Sequence, residues 1–134
     1  MPDRIPNEVK QFIVGHIASI AALEAILLLR EHRHRGWTCQ EVAEWIYTTE
    51  QETARLLGEL VGLGALSEND ALKENDRPVK TFQYSPANHH MARSLDQLAE
   101  AYAKYLVPVT NLVHKQARRS IQGFADAFHL KKKD

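Results

Sequence analysis

Two threonines constrain this chain more than anything else in it. Thr38 is followed three residues later by Glu41, and Thr49 three residues later by Glu52. A threonine hydroxyl that accepts from the third backbone amide, with a glutamate reaching back, is the capping box that opens a helix. Two such starts so close together predict one short helix, about Cys39 to Tyr47, and a second from about Glu50 to Leu63. Val42, Ala43 and Ile46 give the first an inward face, and Gly64 ends the second.

Upstream, Pro6 and Asn7 open a helix with Glu8 near its positive end. Val9, Phe12, Ile13, Ile17, Ile20, Leu23 and Leu27 then recur at three- and four-residue steps through Arg30. Gly15 weakens the run, which allows one bent helix or two. The basic segment EHRHRGW closes it, with Gly36 as the stop.

Downstream of Gly64, SENDALKENDRPVK is polar and VKTFQY is β-prone. Leu66–Ser67 and Val79–Tyr84 are expected to pair as a hairpin with a long tip from Glu68 to Arg77. Asn69-Asp70 and Asn75-Asp76 are its turn residues. Helix restarts at Ser85-Pro86. Met91, Leu95, Leu98, Tyr102, Tyr105, Val109 and Leu112 alternate steps of four and three, a heptad seam. Pro108 lies inside the seam and is expected to bend it by crowding the carbonyl of Lys104. Ile121, Phe124, Ala125 and Phe128 form a last apolar face ahead of Lys131 to Lys133, which could cover the dimer, dock into a partner's groove or lie on a membrane, core cover being the first choice.

Composition narrows the function. The 134 residues carry no net charge with His neutral, so any pull on nucleic acid must come from a local patch. The single cysteine, Cys39, excludes an internal disulfide and fits a reducing cytoplasm. The N-terminus does not read as a signal peptide. The longest apolar stretch, Ile17 to Leu29, is too short for a bilayer, so no membrane association is expected. No glycine-rich phosphate loop, nucleophile elbow or acid–base set is present, so the reading is of a non-enzyme without cofactor. His32/His34 and His89/His90 lack the i, i+4 spacing of a zinc pair, and no metal is expected. Cys39, in a first helical turn, is the candidate for redox sensing, because amide donors and the helix dipole lower a thiol's pKa there.

The order helix, helix-turn-helix, two-stranded wing resembles the winged helix-turn-helix fold, and looks most like small bacterial MarR-type regulators. Thr38, Glu41, Val42, Ala43, Ile46, Thr49, Thr53, Leu57, Leu60, Gly64 and Leu66 carry the resemblance, which covers roughly Ile17 to Tyr84. It implies a mainly α chain with a β-hairpin wing and long terminal helices forming a dimer interface. The layout would be an N-terminal arm over 1–35, a winged domain over 17–86 sharing its first helix with the arm, and a dimerisation helix with amphipathic tail over 87–134. The implied function is a cytoplasmic transcriptional regulator that binds double-stranded DNA as a homodimer through the seam residues.

In DNA-binding members the second motif helix enters the major groove. Its outward positions here would be Glu50, Gln51, Ala54, Arg55, Gly58 and Glu59, entered through Thr49. Gln51 suits adenine and Arg55 guanine, while Glu50 and Glu59 suit only cytosine amino groups. Phosphate contact would fall to Lys73, Arg77 and Lys80 on the wing and to Arg33 and Arg35 before the motif. The alternative is a protein-interaction adaptor that binds no DNA. Its partner, basic or apolar, would meet the Glu50–Glu59 face and an apolar patch of Leu56 and Val61.

Overall fold

The computed structural model describes residues 5–72 and 75–115. Its elements run α1 (Asn7–His16), α2 (Ile20–Glu31), β1 (Trp37–Thr38), α3 (Cys39–Ile46), α4 (Glu50–Leu63), β2 (Leu66–Leu72), β3 (Pro78–Tyr84) and α5 (His89–Lys104). A further helical stretch covers 106–115. The chain forms two compact units, Ala21–Ala99 and a second made by residues up to Ile20 together with those from Glu100 on. The amphipathic tail face at 121–128 and the basic end lie outside the described residues.

In the second unit, Ile5, Val9, Ile13 and Ile17 are all buried, a four-residue recurrence that lines one face of α1. The N-terminal run is two helices, but they do not part at Gly15, which stays inside α1. The break follows Ile17, whose extended backbone (φ −107°, ψ 98°) accompanies a buried β-branched side chain. Ala101, Val109 and Val113 are buried in the same unit. The helix is interrupted at Tyr105, just ahead of Pro108, and the Val109 amide then bonds the Tyr105 carbonyl at 3.0 Å. Steric crowding by the proline ring therefore acts where the sequence placed it.

Unit Ala21–Ala99 holds the helix-turn-helix and its wing. Helix α2 is buried at Ala22, Leu23, Ala25, Ile26 and Leu29. It ends at Glu31, five residues before the expected stop at Gly36. Gly36 instead permits close approach of β3, since a Cβ there would lie 3.1 Å from Thr81 Oγ1. Both threonines cap their helices, but only the first completes the capping box read from sequence. Thr38 accepts from the Glu41 amide while the Glu41 carboxylate accepts from the Thr38 amide, a complete capping box. Thr49 accepts from the Glu52 amide, but the Glu52 side chain turns to Arg55 and leaves that box half made.

The wing is longer than the sequence implied. All seven residues of β2 pair antiparallel with β3, from Leu66 opposite Tyr84 to Leu72 opposite Pro78. Asn69 and Asp70 are therefore strand residues opposite Thr81 and Lys80, not turn residues. The poor strand propensity of SENDA is overridden by a long ladder partner. Between the strands, turn chemistry among the described residues is confined to 75–77, where the Asn75 side chain accepts from the Arg77 amide and Asp76 takes φ 59°. A strand too short to read from sequence, β1, joins the outer side of β3 through Trp37–Phe82 and Thr38–Thr81, giving the order β1-β3-β2. Helix α5 starts at His89, with the Asn88 side chain accepting from the Met91 amide as its cap, rather than at Ser85-Pro86. Arg30 on α2 ties to Asp96 on α5 at 2.9 Å.

Helices α3 and α4 both end on a residue with left-handed backbone, Tyr47 (φ 56°) and Gly64 (φ 93°). Left-handed backbone costs a side-chain-bearing residue about 1–2 kcal/mol. Opposite outcomes are expected at the two sites. Tyr47→Gly raises stability by about 1 kcal/mol, whereas Gly64→Ala lowers it by about 1–2 kcal/mol and also presses on Ala87 Cβ at 3.2 Å. Urea unfolding of the two variants checks both signs.

Candidate nucleic-acid interface

Helix α4 turns Thr53, Leu56, Leu57 and Leu60 inward. That phase leaves Glu50, Gln51, Ala54, Arg55, Gly58 and Glu59 exposed, the outward set expected from sequence. Leu56 is 1% exposed, so the apolar patch assigned to the adaptor reading does not exist as drawn. What remains outward is acidic, with one cation.

That cation is engaged on both sides. Arg55 Nε donates to Glu52 Oε2 at 3.2 Å and its Nη2 donates to Glu52 Oε1, while Nη1 donates to Glu59 Oε1. The Arg55 guanidinium bonded to Glu52 holds that carboxyl below the usual range, against the weaker opposing effect of desolvation. The bond to Glu52, then the nearby charge of Glu59, push the guanidinium pKa further up.

The other described cations named from sequence sit on β3, its tip and the α2–β1 loop, with Lys80 reaching the cleft beside α4. Lys80 on β3 faces Glu68 on β2 at 3.7 Å. Arg35 donates to Glu41 at 2.6 Å and stacks over the Trp37 ring at 3.9 Å from its centre. Arg33 lies over the Tyr84 ring, 5.7 Å from its centre. No described carboxylate forms an ion pair with Arg33 or Arg77. Lys73 lies outside the described residues. For Glu41, burial is the largest influence and works upward. The Thr38 amide, the Arg35 guanidinium and the Thr38 hydroxyl together overcome it and lower the pKa. Glu41's contribution to stability is thus present above the ordinary carboxylate range and lost as pH falls through the lowered value.

A cleft of about 230 Å³ opens between the start of α3 (Thr38, Cys39), the start of α4 (Glu50, Ala54) and β3 (Lys80, Phe82). It joins α4 to the wing and brings Ala54, Lys80 and Cys39 together. Cys39 is not the activated thiol that its helical position implied. Burial pushes its pKa up and the Glu50 charge adds to this, while Sγ donates to the Glu50 carbonyl at 3.1 Å. Desolvation and a like charge outweigh the helix dipole.

Sequence reading missed two exposed aromatics beside the motif. Trp45 is 60% and Tyr47 93% exposed. The Trp45 ring sits 6.4 Å from Trp37 and 6.3 Å from His32, which joins the α2–β1 loop to the end of α3. The signal was present, since Trp45 falls off the inward face set by Val42, Ala43 and Ile46. Among the described residues no three potential ligands gather around a metal position, and no single helix is long and apolar enough to cross a membrane.

The seam divides. Leu95, Leu98 and Val109 are fully buried within the single chain, so these three are not free to meet a second copy. Met91, Tyr102, Tyr105 and Leu112 are half-buried. Leu106 and Val107, outside the heptad pattern, are 53% and 64% exposed.

No protein-family model matches this chain, and no curated protein matches its sequence. Its fold is similar to solved bacterial regulators. A mutant MepR from a multidrug-resistant S. aureus clinical isolate superposes with TM-score 0.54 at 10% identity, covering 96% of this chain and 88% of that one. Wild-type apo MarR from E. coli gives 0.51 at 15% identity over 94% and 84% of the two chains. A second S. aureus MepR mutant, bound to an oligodeoxyribonucleotide, gives 0.51 at 12% identity over 90% of each. At these identities the likeness is one of fold, and the chain has a MarR-like winged-helix fold.

The raised thiol pKa carries an expectation. Native-state alkylation of Cys39 proceeds more slowly than that of a free thiol, and unfolding restores the free-thiol rate. Timed mass spectrometry with a thiol reagent measures both.

Proposed function

We propose that this protein is a DNA-binding transcriptional regulator that acts as a homodimer, with α4 in the major groove and the β2–β3 wing along the backbone. The observation that carries the reading is the fold match over nearly the whole chain to MarR-type regulators, one of them solved with an oligodeoxyribonucleotide. Phosphate contact then falls to Arg33 and Arg77, with Lys80 recruited from its 3.7 Å contact to Glu68, because α4 offers no free cation. A contact that loose in solvent is worth little and gives way to a phosphate.

Dimerisation uses the chain beyond Glu100. Tyr102, Tyr105 and Leu112 leave partial apolar surface there, and Leu106 and Val107 add more. Exposed apolar residues gathered in one stretch mark an association surface.

One observation favours a second reading, the adaptor. Between Thr38 and Tyr84 the chain carries nine carboxylates against four cations. A head so acidic repels phosphates and attracts a basic protein segment. In that reading the acidic face alone makes the contact, since Leu56 is core.

Duplex titration separates the two. The regulator reading expects retention of random-sequence duplex at low salt, with log K falling linearly in log salt. Arg77→Ala is expected to reduce that slope by about one per chain. No retention of duplex at low salt selects the adaptor. For assembly, sedimentation is expected to report a dimer, and Leu106→Glu with Val107→Glu to give a folded monomer.

A further inference from the structure

We propose that Arg55 reads a guanine, that Glu52 is the residue positioning its guanidinium for that task, and that Glu59 masks it until the base arrives. The inference rests on the regulator reading and assigns α4 a preference for G·C pairs.

A guanidinium carries five N–H groups. Glu52 takes two of them along one edge, Nε and Nη2, and Glu59 takes one from Nη1. Two remain, one on each terminal nitrogen. An end-on fork to O6 and N7 of guanine uses both terminal nitrogens, so Glu59, on Nη1, holds one side of it. The two-point contact from Glu52 fixes the guanidinium plane through Nε and Nη2 and leaves Nη1 to other partners. The contact from Glu59 is single and competes for a nitrogen the base needs, and both partners are about half exposed. It is the contact a guanine displaces. The acidic neighbours then acquire a role in the groove. Glu50 and the displaced Glu59 are acceptors only, and a carboxylate in the major groove pairs with the N4 amino group of cytosine.

The test uses the full chain and a duplex pool randomised over its central stretch, with bound sequences counted after selection at low salt. Enrichment is expected to include a guanine position. Arg55→Lys should lower that guanine preference about tenfold, because a lysine lacks the planar fork that Glu52 can orient. Glu52→Ala should lower it by a similar factor while retaining the unselected pool. Glu52→Gln, which keeps an acceptor, should fall between wild type and Glu52→Ala, a grading that a folding defect does not produce. Glu59→Gln should keep the preference and tighten pool binding about two- to fivefold. Enrichment without a guanine position, or a guanine preference that Glu52→Ala leaves intact, overturns the assignment and leaves the regulator reading standing. A wild-type chain that retains no pool at low salt overturns the regulator reading, and this one with it.

Discussion

Thr38 is where the helical and β parts of the winged unit are locked together. Its backbone pairs with Thr81 as the last rung of β1, and its side chain caps α3. The amide and hydroxyl both bond Glu41, at 2.9 and 3.2 Å. Arg35 closes the arrangement from the other side by donating to Glu41 while stacking on Trp37, the residue before Thr38. A threonine cap alone is worth about 1 kcal/mol. Here the same residue also sets where the sheet edge stops and the motif starts. The cleft between α3, α4 and β3, and with it the placing of the wing against α4, follows from that junction.

The acidity of the motif looks different once its partners are known. Glu41 belongs to the capping box. Glu50 and Glu52 occupy the first turn of α4, where the helix dipole favours negative charge. Glu52 and Glu59 brace Arg55. Glu44 is left as a solvent-facing charge with no such task. Fold chemistry thus accounts for most of the carboxylates, so their number does not by itself exclude a groove-reading helix. Under the proposed regulator reading, attraction to phosphates would have to come from elsewhere on the surface, from Arg33, Arg77 and Lys80.

Legibility followed locality. The bounds of α4 were readable because a threonine cap and a left-handed glycine both act within one turn of the chain. The capping box of α3 is local for the same reason. The length of the wing was not readable. Whether Asn69 and Asp70 turn or pair depends on Thr81 and Lys80 across the ladder, and SENDA has no strand preference to announce it. The seam was half legible. Its period marks Leu95, Leu98 and Val109 as buried, but a period cannot say whether the chain itself or a second copy does the burying.

From residues alone came the order of elements, the two capped helices of the motif and the outward set on α4, because all three follow from hydrogen bonds and side-chain periods within a few residues. Tertiary structure decided the rest. It added β1, which at two residues exists only as the edge of β3. It moved Leu56 into the core and raised the Cys39 thiol's pKa, both consequences of what surrounds them. It also set the state of Arg55. Spacing made Glu52 and Glu59 available to that side chain, but only the folded helix, with its other face buried, shows both carboxylates holding it at once.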